Sequence, residues 1–92
     1  MTVTIHYKGQ IATEVGSSTE DLKFDDPIYL IGILKALSDK GTEAVNDFIF
    51  DEKGQPTRSL LVLVNDEQVI DFQKTLISDD CVISLLPPIA GG

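Results

Sequence analysis

Hydrophobic and polar positions alternate from the first residues. Val3, Ile5 and Tyr7 share one face of residues 2–7, and Thr2, Thr4 and His6 share the other. That period of two predicts a half-buried strand. Lys8-Gly9 then fits a tight turn, and Ile11, Thr13 and Val15 alternate through residues 10–15, which predicts an opening β-hairpin. Residues 16–23 are polar and predict a loop. The pattern then changes period. Ile28, Ile31, Leu34 and Leu37 recur at helical spacing, and Leu30 and Ile33 widen the stripe, which predicts a helix over residues 27–39. Asp26 is placed to cap it, Pro27 to open it, and Lys40 and Gly41 to close it.

Beyond residue 41 the segments are shorter. Thr42–Asn46 predicts one turn of helix with Val45 inward, and Phe48-Ile49-Phe50 a short strand. Asp51-Glu52-Lys53-Gly54-Gln55-Pro56 is turn chemistry. Residues 58–64 are nearly all apolar after Arg58-Ser59, as in a strand covered on both faces. Asn65-Asp66 suits a tight turn before a short edge strand at Gln68-Val69. After Leu76-Ile77 and the Ser78-Asp79-Asp80 turn, Val82–Leu86 is the last strand, and it runs straight into Pro87-Pro88. The predicted order is β-β-α-β-β-β. This is an α+β domain over residues 1–86, with one main helix across one face of a mixed sheet. A hairpin, a helix and a last strand beside the first resemble the β-grasp, or ubiquitin-like, fold.

The residues after the sheet carry the candidate chemistry. Pro87 and Pro88 fix two φ angles, and a polyproline-like stretch from Pro87 to Gly92 spans about 18 Å. Ile89 and Ala90 lead to Gly91-Gly92. Without Cβ atoms, Gly91 and Gly92 thread a narrow channel and leave the last carbonyl carbon unhindered. Residues 87–92 are therefore expected to form an exposed tail, with the carboxylate of Gly92 as its working group and Gly91 as its flexible neighbour.

Leu85-Leu86-Pro87-Pro88-Ile89-Ala90-Gly91-Gly92 resembles the ending of the MoaD/ThiS-type sulfur carriers, where the molybdopterin synthase small subunit typically ends Phe-Phe-Pro-Pro-Val-Ala/Ser-Gly-Gly. The segment from Phe48 to Asn65 is more similar to the carriers of cysteine biosynthesis, which usually have Ala at the position of Pro88. The resemblance implies a carrier, not an enzyme. An ATP-using E1-like enzyme adenylates Gly92, a persulfide sulfur replaces the adenylate, and the thiocarboxylate donates sulfur to a synthase. The implied partners are that adenylating enzyme and either the large subunit of a molybdopterin synthase or a cysteine synthase type, with no cofactor bound to the chain itself. Two alternatives stay open: a ubiquitin-like modifier joined to lysines through Gly92, and a β-grasp interaction module without a working tail.

Composition narrows the classes. The chain has 92 residues and a net charge of −8, which opposes binding to nucleic-acid phosphate and admits a basic partner. No window holds enough apolar residues to span a membrane. The N-terminus lacks a signal-peptide pattern, so a cytoplasmic protein is expected. One cysteine forms no internal disulfide and cannot hold a [2Fe–2S] cluster. Cys81 is expected to be a small buried hydrophobe, and His6 a surface residue on the outer face of the hairpin. The pairs Asp25-Asp26, Asp51-Glu52 and Asp79-Asp80 are explained by turns and caps. For docking, alternation assigns Leu61, Leu63 and Leu86 to the open face of the sheet, with core as the competing assignment, because the run Leu60–Val64 is not phased by periodicity alone. Pro87, Pro88, Ile89 and Ala90 complete the expected partner-binding set.

Overall fold

The computed structural model describes residues 1–41 and 43–87. A five-stranded mixed sheet holds β1 (Thr2–Tyr7), β2 (Thr19–Lys23), β4 (Leu61–Val64), β5 (Glu67–Val69) and β7 (Cys81–Leu86) in the order β2-β1-β7-β4-β5. β7 lies parallel to β1, with Val3 opposite Cys81 and Tyr7 opposite Leu85. The other pairings are antiparallel. A separate two-stranded ladder joins β3 (Ile28–Tyr29) to β6 (Leu76–Ile77). Among the described residues the helices are α1 (Gln10–Val15), α2 (Leu30–Lys40) and α3 (Glu43–Ile49). The α+β architecture is that of the β-grasp.

The alternation read in β1 is the one observed: Val3, Ile5 and Tyr7 are buried, and the intervening residues are not. α2 covers this face. Leu30, Ile33, Leu34 and Leu37 follow i, i+3, i+4, i+7 spacing and are all buried. Each contributes about 1.5–3 kcal/mol of burial. Ile83 and Leu85 meet them from β7, and Val62 from β4.

Several boundaries differ from the sequence reading. Residues 10–15 are helical, not a strand. Over six residues Ile11 and Val15 satisfy an i, i+4 spacing as well as an alternation, and Gly16 decides between them. It sits at φ 81° and donates its N–H to the Ala12 carbonyl at 3.0 Å, a left-handed helix stop. The hairpin partner of β1 is instead β2, within the stretch expected to be a loop. Leu22 is its one aliphatic residue, and Glu20, Asp21 and Lys23 mark the charged edge strand that sheets favour at their margins.

α2 begins at Leu30 rather than residue 27, and Asp26 does not cap it. Ile28 and Tyr29 are drawn into the ladder with Ile77 and Leu76. The first helical N–H groups are met by a distant loop: Leu30 donates to the Thr75 carbonyl at 2.8 Å and Ile31 to that of Phe72 at 3.0 Å.

The short strand expected at Phe48–Phe50 is also absent. Val45 and Ile49, four apart and both buried, keep α3 helical to Ile49, and Phe50 makes only an isolated bridge to Pro56. Thr57 closes this helix, its N–H on the Ile49 carbonyl at 2.9 Å and its hydroxyl on that of Phe48 at 3.0 Å. Ser38 donates to Asn46, tying α2 to α3. β4 begins only at Leu61 and is not covered on both faces: Val62 is buried, whereas Leu61 and Leu63 are half-buried. The Asn65-Asp66 turn is as expected, with φ 48° and 70°, the left-handed pair that joins two tightly connected strands.

Candidate functional site

Cross-strand register defines the uncovered face. Residues opposite one another in a ladder point the same way, so the face opposite α2 carries Thr4 and His6 from β1, Val82, Ser84 and Leu86 from β7, and Leu61 and Leu63 from β4. Leu61, Leu63 and Leu86 therefore take the open-face side of the two assignments available from sequence. His6 stands beside Ser84, and Ser84 beside Leu63. Val82 is 37% exposed, while Ser84 is nearly buried between its neighbours. His6, Leu63, Val82, Ser84 and Leu86 line a depression with Lys8, Asn65 and Asp66 at its rim. Such a surface offers an apolar floor with a polar margin, the makeup of a protein-docking patch.

Sequence reasoning missed His6, Lys8, Val82 and Ser84 as part of this patch. Alternation had His6 facing outward, but only the parallel pairing of β1 with β7, across some eighty residues of chain, sets it beside Ser84 and Leu63. The phase of β7, with Val82, Ser84 and Leu86 alternating against buried Ile83 and Leu85, was the available signal.

The patch leads to the base of the tail. β7 is the middle strand of five, and Leu86, paired with Leu61, is its last residue. The Lys8 N–H donates to the Leu85 carbonyl at 3.0 Å, so the turn after β1 clasps the end of β7. Pro87 follows, half-buried against this turn. Pro88, Ile89, Ala90, Gly91 and Gly92 lie outside the described residues.

The network of Tyr7, Glu20 and Lys40 sits away from the patch. On the helix-covered side, the Tyr7 hydroxyl donates to Glu20 Oε1 at 2.6 Å, and Lys40 from the last turn of α2 pairs with the same carboxylate. Burial first, then the Glu20 bond and charge, push the Tyr7 phenol well above its ordinary range. Burial pushes Glu20 upward, but the bonds from Lys40 and Tyr7 outweigh it and hold the carboxyl below its ordinary value. Cys81 is half-buried against the core, and burial, with the Asp80 charge second, raises its thiol. That is the environment of a packed hydrophobe rather than of a nucleophile. Among the described residues, no His, Cys, Asp and Glu cluster has the makeup of a metal site, and no helix is long and apolar enough to cross a membrane.

The sequence profile of the ThiS family matches residues 5–92. The chain belongs to the ThiS family. Sequence comparison with curated proteins gives no match. Among solved structures, it is similar to small archaeal modifier protein 1 from Haloferax volcanii, with 22% identity, a TM-score of 0.87 and 100% of each chain covered. Small archaeal modifier protein 1 from Methanosarcina acetivorans is similar at 26% identity and a TM-score of 0.78, covering 99% of this chain and 96% of that one. A chain of the BexX/CysO complex from Amycolatopsis orientalis is similar at 22% identity and a TM-score of 0.74, covering 98% and 99%. This ThiS-family chain thus falls among ubiquitin-like sulfur carriers and modifiers, as the resemblance of its ending implies.

Proposed function

We propose that this ThiS-family protein is a sulfur carrier whose working atom is the carboxylate carbon of Gly92. The observation that carries the reading is the exit of the central strand. β7 ends at Leu86 at the margin of the open apolar face, and the chain passes at once into Pro87 and the residues that lead to Gly92. The match of the family profile through residue 92 supports it. An E1-like enzyme spends ATP to adenylate the carboxylate, releasing pyrophosphate. A persulfide sulfur then attacks the acyl carbon and expels AMP, and a thiol cleaves the resulting acyl disulfide to leave the thiocarboxylate. The domain supplies no general acid or base; it is the substrate, and Leu61, Leu63 and Leu86 dock it on the enzyme while Pro87–Ala90 present the tail. A biosynthetic synthase of the molybdopterin or cysteine type accepts the sulfur.

A second reading is favoured by the likeness to small archaeal modifier protein 1: the same adenylate is passed to a lysine, joining Gly92 to a target protein. Both readings require activation. ATP–pyrophosphate exchange with the E1-like enzyme of the same organism is expected for the full chain and abolished by deletion of Gly92, with the fold unaffected by circular dichroism. Unchanged exchange in the deletion variant refutes both. Intact mass of protein from its native host then separates them: replacement of one oxygen by sulfur marks the carrier, and high-mass adducts on denaturing gels mark the modifier.

A further inference from the structure

We infer that Gly9 is a positioning residue for the tail: it is the seat on which Pro87 rests, and it sets the direction in which the chain leaves the sheet. The inference rests on the reading that the tail is the working element. Three observations meet at this point of the fold. Gly9 has φ 60° and ψ −137°, a combination that essentially only glycine adopts. A Cβ built on Gly9 would lie 3.0 Å from Pro87 Cγ and 3.4 Å from its Cδ, inside the ordinary carbon–carbon separation of about 3.5–4.0 Å. The adjacent Lys8 N–H holds the Leu85 carbonyl at 3.0 Å.

The physical consequence is a clasp. The Lys8 bond fixes the end of β7, and the bare Cα of Gly9 leaves room for the proline ring against the turn. Proline fixes its own φ near −65°, so seating its ring fixes the point and the backbone rotation at which the chain leaves β7. Without the seat, the same proline would leave the sheet along a different line. The turn between β1 and α1 is then a part of the carrier's working geometry, although it holds no chemically reactive side chain. A misdirected tail must be re-aimed on every docking event. The cost falls on binding rather than on chemistry, so KM for the carrier rises while kcat holds.

The test is a double-mutant cycle of Gly9→Ala and Pro87→Ala. Pro87→Ala removes both ring atoms that the added methyl would meet, so it relieves the clash and leaves only the backbone strain at position 9. In the native Pro87 background, Gly9→Ala is expected to raise KM for the E1-like enzyme about tenfold in ATP–pyrophosphate exchange, the scale of one strained contact. In the Pro87→Ala background, the further effect of Gly9→Ala is expected to be markedly smaller. Additive effects, or an unchanged KM in a folded Gly9→Ala protein, overturn the inference. Two readouts need no folded Gly9→Ala variant, and the first needs no enzyme. A nuclear Overhauser contact between the Gly9 α-protons and the Pro87 ring is expected in the native protein and its absence overturns the seat. Pro87→Ala alone is expected to raise KM with no loss of urea stability, and an unchanged KM overturns the role. If the native chain supports no exchange at all, the proposed function fails, while the Overhauser contact still decides whether the seat exists.

Discussion

Replacing Tyr7 by phenylalanine removes one hydroxyl and leaves the rest of the packing in place. The ring is 3% exposed on the core side of β1, so its apolar burial is retained. Its hydroxyl donates to Glu20 at 2.6 Å, and Lys40 shares that carboxylate. A hydrogen bond to a charged group contributes about 1.5–3 kcal/mol. Glu20 keeps a side chain 22% exposed and a second partner in Lys40, so water and Lys40 recover part of that, and the expected loss at neutral pH is about 1–2 kcal/mol. In a domain of this size each kcal/mol lowers Tm by roughly 4–8 °C.

The sign of the pH dependence follows from the two groups. Glu20 is held below its ordinary value in the folded protein. Its contribution is therefore full above the unfolded carboxyl value of about 4.3, and it is lost as pH falls through the folded one. Tyr7 is raised, so its contribution is full below the ordinary phenol value of about 10 and lost only as pH rises through the raised one. The gap between native protein and Tyr7→Phe is thus expected to be widest between about pH 5 and 9 and to narrow as pH falls below the ordinary carboxyl range. Urea unfolding followed by circular dichroism measures it, since the chain has no tryptophan. A gap under about 0.3 kcal/mol at neutral pH, or one of equal size at acid pH, would refute a charge-assisted bond at this position.

Two further substitutions separate the core from the open face. Leu34 is fully buried, and Leu34→Ala is expected to cost about 2–5 kcal/mol in urea unfolding; a much smaller loss means that α2 is not seated as described. Leu63→Asp places a charge on the open face. It is expected to change stability by less than about 1 kcal/mol while weakening binding to the E1-like enzyme at least about tenfold in titration calorimetry. Undiminished affinity removes Leu63 from the docking surface.

The physics of each segment explains what could be read in advance. Six residues of strict alternation made β1 legible, because a strand with one buried face leaves that mark. The stripe from Leu30 to Leu37 marked α2, and Asn65-Asp66 marked its turn, since only a few residues tolerate two left-handed conformations in succession. The passage from Val82–Leu86 into Pro87, the framework of the proposed site, was likewise written in the local sequence.

Other features depended on partners far along the chain. Residues 10–15 satisfy both periods, and the stop at Gly16 with the burial of Ile11 and the packing of α1 against α3 chose the helix. β2 has too little apolar pattern to announce itself; it is a strand because β1 presents a free edge. The carbonyls of Phe72 and Thr75, not Asp26, supply the first turn of α2. Leu61 and Leu63 could be phased only once β7 lay beside β4. Sequence by itself thus determined the elements whose burial is repeated along their own length. Tertiary structure decided the short elements, the composition of the open face and the contact of Gly9 with Pro87, because hydrogen bonds and packing between distant segments outweigh the weak local preference of five or six residues.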